Sequence, residues 1–170
     1  KQWNLGKLIL EKMGFDFEAG RQDKSEHPFT ISFSPQDVRV TTRINEKDPA
    51  QMIWTCIHEG GHALYEQGLP AEEYGLPLGE ACSYSIHESQ SRFWENGIGR
   101  SRAFCAFLFP LLIKLFPKEL EGWDEEMLFK SINWVKPSLI RTEADEITYH
   151  FHVAIRYELE KKLLNNELKT

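Results

Sequence analysis

Two histidines four residues apart, His58 and His62, enclose Glu59, Gly60 and Gly61 in the run His-Glu-Gly-Gly-His. In a helix each residue advances about 100°, so the two imidazoles lie about 40° apart on one face and can hold a single cation. Glu59 turns about 100° from His58 and flanks that face, within reach of a water on the metal. Zinc lowers the pKa of such a water towards about 7, and a neighbouring carboxylate takes its proton as it attacks a carbonyl. The chemistry implied is metal-assisted hydrolysis, with Glu59 as the general base.

A catalytic zinc takes three protein ligands, so one more must come from elsewhere. Cys56 is nearest, but two residues from His58 it points about 200° away, towards the packing side, and reads as a small core residue. His87 and Glu88, side by side in His87-Glu88-Ser89-Gln90, are the other candidates. Adjacent helical residues cannot both face one ion well, and spacing leaves the choice open. Gly60 and Gly61 each cost a helix about 0.5–1 kcal/mol against Ala. That cost calls for the close approach of another backbone, either a substrate strand or a packed helix.

The elements that must position these groups are mostly helical. Asp48-Pro49 is an N-cap followed by proline at the first helical position, and Gly68 with Pro70 is a stop, so the histidines lie inside one helix. A Gly- and Pro-rich loop from Leu69 to Gly79 leads to a second helix from about Glu80 to Glu95, which carries Tyr84, Ile86, Phe93 and Trp94 at apolar spacing. Further helices are expected at Trp3–Met13, Arg100–Phe116, Asp124–Val135 and Thr142–Asn165, with a polar loop from Gly14 through Glu26. Between Phe29 and Ile44 the period changes to two around Ser34-Pro35-Gln36-Asp37, which predicts two antiparallel strands. The fold class is mainly α with a small antiparallel β-sheet.

Composition narrows the partners. At 170 residues with 41% hydrophobic content, one domain is the expectation. Twenty Lys plus Arg against 26 Asp plus Glu, with no basic block, argue against nucleic acid and against a membrane surface. The apolar run from Ala103 to Phe116 is broken by Pro110 and Lys114 and is too short to span a bilayer. No signal peptide is visible, and Cys56, Cys82 and Cys105 make no disulfide framework, which fits a cytoplasmic setting.

Beyond HEGGH, the chain carries YGLPLGEA (Tyr74–Ala81), IHESQSRFWEN (Ile86–Asn96) and IRTEADE (Ile140–Glu146), preceded by HPF (His27–Phe29) and DVRVT (Asp37–Thr41). In this order the signatures resemble the thermostable carboxypeptidases typified by carboxypeptidase Taq. The resemblance implies a zincin-like catalytic core of the gluzincin type. It also implies release of single C-terminal amino acids with broad specificity, zinc as cofactor with Co²⁺ or Mn²⁺ as substitutes, and a homodimer. It places the third ligand on Glu88 and makes His87 a residue behind the ligands or in the substrate groove. It further implies that residues 1–170 are one catalytic-core segment without the family's N-terminal helical region and C-terminal part.

A carboxypeptidase must grip a free carboxylate, for which the planar fork of arginine is suited. Arg39 on the second strand, sharing a face with Asp37 and Thr41, competes with Arg141, which is preferred. Asp145, Tyr149 and His152 follow Arg141 on one helical face. Tyr149 or His152 is expected to donate a hydrogen bond to the oxyanion, and Asp145 to orient a ligand histidine from behind. The opposite stripe of Ile147, Phe151, Ala154 and Ile155 is expected to contact the core. Arg92 reads as a structural ion pair, and Trp54, Trp94, Trp123 and Trp134 as packing. A free edge of the strand pair could receive peptide backbone beside Gly60-Gly61. The rival readings are a gluzincin endopeptidase or aminopeptidase, and a zinc-binding but inactive core with a structural role.

Overall fold

A computed structural model describes residues 1–168, apart from the side chain of Glu143. The chain packs as two compact units, 1–119 and 120–170. In the first, α1 (Gln2–Met13), β1 (Gly20–Lys24), β2 (Thr30–Ser34) and β3 (Asp37–Thr42) precede the long α2 (Pro49–Gln67). After two 3₁₀ turns come α3 (Tyr84–Arg92), a π-helical turn (Phe93–Ile98) and α4 (Arg102–Leu115).

α2 forms where its caps direct. Asp48 Oδ1 accepts from the backbone N–H groups of Ala50 (3.1 Å) and Gln51 (3.3 Å), and the helix closes at Gly68. Its inner face buries Met52, Ile53, Cys56 and Ile57 against Leu10 of α1 and Val38 and Val40 of β3, all at 2% exposure or less. Burial pushes the Cys56 thiol up to about 12, so it is a packed thiol and no thiolate ligand. α3 starts at Tyr84, later than the expected Glu80, because the Pro77–Gly79 turn intervenes and Ser83 Oγ caps Ile86 N–H at 3.2 Å. Tyr84, Ile86 and Phe93 are exposed, so their apolar spacing does not mark a core face.

The sheet has three strands in the order β1-β3-β2, where two were expected. β2 pairs antiparallel with β3, but β1 pairs parallel with it, Gly20 opposite Val38 and Lys24 opposite Thr42. The sheet is therefore mixed. Gly-Arg-Gln-Asp-Lys holds no apolar residue, so it reads as a loop; backbone pairing along β3 makes it a strand, and only Gln22 turns inward. β2 is an edge strand.

The two helical glycines are each filled by a neighbouring helix. A Cβ on Gly60 would lie 2.7 Å from Leu10 Cδ2 and 2.8 Å from Met13 Cε, both on α1. A Cβ on Gly61 would lie 2.7 Å from Ser91 Cα and 2.9 Å from Gln90 O, on the α3 backbone. Of the two neighbours the sequence leaves open, both positions meet packed helices.

In the second unit, α5 (Glu125–Ile132) is capped by Asp124 and buries Leu128. A 3₁₀ turn (Arg141–Glu143) precedes α6 (Glu146–Leu164). Helix α6 starts at Glu146 and not at the expected Thr142, because Asp145 is its N-cap: the carboxylate accepts from Ile147 N–H, Thr148 N–H, Thr148 Oγ1 and Lys136 N–H. No described residue of α6 is buried, and Ile147, Phe151, Ala154 and Ile155 are exposed rather than facing a core. Apolar residues surround the helix, Val153, Tyr157 and Leu159 included, and a unit of about fifty residues has little interior to offer them. Trp54 and Trp94 are half-buried, whereas Trp123 and Trp134 are exposed. Among the described residues no helix is long and apolar enough to cross a membrane.

Two outcomes follow. Gly61→Ala gains about 0.5–1 kcal/mol in helix propensity but meets backbone, and overpacking costs about 1–3 kcal/mol. Urea unfolding should therefore show a net loss, where an exposed helical glycine would show a gain. Asp145→Ala should lower helix content and cost about 1 kcal/mol at neutral pH. Partial burial works against the Asp145 charge, but the hydrogen bonds from Thr148, Lys136 and Ile147 outweigh it and hold the carboxyl at about 2, below its ordinary 3.8. Because the folded value is depressed, the contribution is present above pH 3.8 and is lost as pH falls towards 2. The circular-dichroism difference between wild type and Asp145→Ala should shrink over that range.

Candidate metal centre

His58 and His62 leave α2 on one side, and α3 faces them with Glu88. His62 Nε2 lies 3.4 Å from Glu88 Oε2, and His58 Nε2 lies 3.8 Å from the same oxygen. The three donor atoms all fall within 4.8 Å of one another, on half-buried side chains. Bonds of 2.0–2.2 Å to a tetrahedral zinc require donors about 3.3 Å apart. Two neutral nitrogens and one carboxylate at these separations fit a divalent cation with one coordination position left over. Cys56 takes no part.

The outer nitrogens of both imidazoles are held as well. His58 Nδ1 is 2.8 Å from Glu95 Oε2, and Arg92 Nη1 donates to that same oxygen at 2.8 Å. Arg92 is thus the structural ion pair expected of it. Glu95 reaches His58 from the π-helical turn, which follows α3 directly and carries Gly99 N–H back to Trp94 O at 2.8 Å. His62 Nδ1 is 2.5 Å from His87 Nδ1, and His87 Nε2 is 2.6 Å from Glu66 Oε1. The edge of Tyr65 packs on the His87 ring, with centroids 5.0 Å apart. His87 therefore stands behind His62.

Glu59 is buried, with 8% of its surface exposed. Thr30 Oγ1, on β2, is 2.7 Å from Glu59 Oε2 and 3.0 Å from the Glu59 carbonyl. A sheet strand thereby fixes the carboxylate beside the histidines.

Carboxylates dominate the field. Burial opposes charge on His58, but the hydrogen bond to Glu95 and the charges of Glu95, Glu88 and Glu59 outweigh it and raise its pKa. Burial likewise pulls Glu88 upward, yet His62, His58 and Arg92 hold it below its ordinary value; Glu95 is lowered in the same way by His58, Arg92 and Arg100. A cluster this rich in anions is one that a cation completes.

The remaining expected site residues are engaged elsewhere. Arg39 Nε and Nη2 donate to the two oxygens of Asp37, each at 2.8 Å, and the guanidinium lies 4.8 Å over the Phe33 ring. Arg141, Asp145, Tyr149 and His152 all belong to residues 120–170, whereas every donor of the cluster lies within 1–119. Arg141 Nη1 donates to Tyr149 Oη, Asp145 caps α6, and His152 is half-buried. Glu66, Glu95 and Thr30 were not singled out in the sequence. Glu66 follows His62 by one helical turn, a spacing that signals a shared face, whereas Glu95 lies in the π-helical turn, where the regular period does not hold. Thr30 carries no local signal.

A family model described as carboxypeptidase Taq (M32) metallopeptidase matches residues 1–170. Thermostable carboxypeptidase 1 of Thermus thermophilus is 49% identical over 160 residues, 94% of this chain and 31% of that protein. Carboxypeptidase 1 of Bacillus subtilis is 43% identical over 168 residues, 99% of this chain and 34% of that protein. Among solved structures, the M32 carboxypeptidase of Deinococcus radiodurans R1 superposes with a TM-score of 0.94 at 48% identity, covering 98% of this chain and 34% of that one. The chain spans about a third of the length of the curated relatives it matches.

Titration of the metal-free chain with zinc should give one ion per chain. Glu88→Ala should weaken that binding by more than about 100-fold, and Cys56→Ala should leave it within about threefold. Alkylation of the folded chain should modify Cys82, which is exposed, and spare the buried Cys56 and Cys105.

Proposed function

Because the chain belongs to the carboxypeptidase Taq (M32) metallopeptidase family, we propose that it is the metal-binding core of a zinc-dependent carboxypeptidase releasing single C-terminal amino acids with broad specificity. The observation that carries this reading is the convergence of His58, His62 and Glu88 beside the buried carboxylate of Glu59. Zinc held by those three side chains would polarise the scissile carbonyl and acidify a water close to it; cobalt or manganese would serve as substitutes.

Glu59 acts as general base. Its Oε2 is pinned by the Thr30 hydroxyl, which leaves Oε1 to take the proton of the attacking water and pass it to the leaving nitrogen. Arg141 is assigned to the substrate carboxylate, since Arg39 already spends its fork on Asp37. Tyr149 or His152 is assigned to the oxyanion.

The alternative is a zinc-binding core without turnover. Release of the last residue from a blocked dipeptide separates the two. In the carboxypeptidase reading, Glu59→Gln lowers kcat by about 10²–10⁴-fold while metal content stays at one ion per chain. Tyr149→Phe and His152→Ala, made in an active chain, should between them cost about 10²–10³-fold. If both leave kcat within about threefold, the oxyanion role is lost to them. A wild-type chain that binds zinc and releases nothing supports the inert core.

A further inference from the structure

Both histidines of the α2 run end on a carboxylate, but by different routes. His58 Nδ1 meets Glu95 Oε2 directly at 2.8 Å, whereas His62 Nδ1 meets His87 Nδ1 at 2.5 Å, and His87 Nε2 meets Glu66 Oε1 at 2.6 Å. A carboxylate can only accept hydrogen bonds. Glu95 therefore makes His58 Nδ1 a donor, which leaves the lone pair on Nε2, the nitrogen that faces Glu88. The same logic runs through two bonds on the other side. Glu66 makes His87 Nε2 a donor; a neutral His87 then accepts at Nδ1; His62 Nδ1 must donate; and the His62 lone pair falls on Nε2, 3.4 Å from Glu88 Oε2.

We propose that Glu66 and Glu95 are the positioning residues of the metal site, fixing the tautomer and aim of its two histidine ligands, Glu95 directly and Glu66 through His87. This rests on the reading of His58, His62 and Glu88 as metal ligands. The burial of the four groups supports it: the side chains of Glu66, Glu95, His87 and His62 are exposed by only 16%, 14%, 19% and 15%, so water competes little for these bonds. Glu95 is pinned by Arg92, and Glu66 stands one turn after His62 on the same helix.

The assignment makes the two acids energetically different. Glu95 acts alone, so its loss should add to any change at His87. Glu66 acts only through His87, so its loss should vanish once His87 can no longer transmit it.

The test is zinc affinity of the full chain, measured by competition with a chromogenic chelator, alongside urea unfolding of each metal-free variant. Glu95→Gln and Glu66→Gln, in which an amide can offer a donor where only an acceptor stood, should each weaken zinc by about 10–100-fold. Unfolding midpoints of the metal-free chains should stay near wild type, which separates positioning from a general loss of structure. In a His87→Ala background Glu66→Gln should change affinity by less than about twofold, while Glu95→Gln should keep its full effect. His87→Asn provides a second background, since its amide oxygen can accept from His62 without reaching Glu66; there too Glu66→Gln should be silent. Undiminished loss from Glu66→Gln in both backgrounds overturns the relay, and affinities within about threefold of wild type for the single variants overturn the whole assignment. A wild-type chain that binds no zinc, or binds it unchanged after Glu88→Ala, overturns the ligand reading itself and this proposal with it.

Discussion

The contact on which the metal centre depends is the approach of α3 to α2 at Gly61. Ser91 Cα and Gln90 O occupy the space that any side chain at position 61 would need, and Ser91 is completely buried there while its hydroxyl donates to Glu88 O. With the backbones that close, Glu88 faces both histidines across a gap suited to one ion. A residue with a Cβ would push α3 outward, and the third donor would move with it. Gly60 makes room on the opposite side, where the Leu10 and Met13 side chains of α1 fill the space, so the helix carrying the histidines is gripped from two sides. The cost of two helical glycines, about 0.5–1 kcal/mol each, is offset by this packing.

Around that contact the electrostatics are organised in layers. Glu88 faces both histidines, the charge of Glu59 is felt at His58, and Glu95 and Glu66 hold the outer imidazole nitrogens, Glu66 by way of His87. Arg92 stands among them as a permanent cation on Glu95, and the charge of Arg100 acts on the same carboxylate. Half-buried carboxylates outnumber the positive groups that meet them, an arrangement that costs solvation energy unless a cation is bound. The raised pKa of His58 has the same origin, in the hydrogen bond to Glu95 and the charges of Glu95, Glu88 and Glu59.

Residues 120–170 obey a different economy. α6 is capped firmly by Asp145, yet it buries no described residue and exposes apolar side chains around its whole circumference. The stripe of Arg141, Asp145, Tyr149 and His152 was legible as a shared helical face, but the cap shortened the helix and tied Asp145 to four local donors. Spacing identifies which residues lie side by side on a helix. It does not say whether a carboxylate spends its lone pairs on its own backbone.

By itself the sequence determined what repeats locally: the α2 helix from its Asp48-Pro49 cap, the shared face of His58 and His62, the flank position of Glu59, the inward direction of Cys56 and the hairpin around Ser34–Asp37. The ordered signatures added Glu88 by resemblance. Periodicity and capping are set by neighbours within a few residues, so they can be read without a fold. Only the tertiary structure decided which helices fill the space at Gly60 and Gly61, that a polar segment at Gly20–Lys24 joins the sheet, that Thr30 reaches Glu59, and that a π-helical turn swings Glu95 onto His58. Each of these joins residues far apart in the chain, or depends on a main-chain path that departs from the regular period. The side chains concerned acquire their roles from whichever backbone comes to rest beside them.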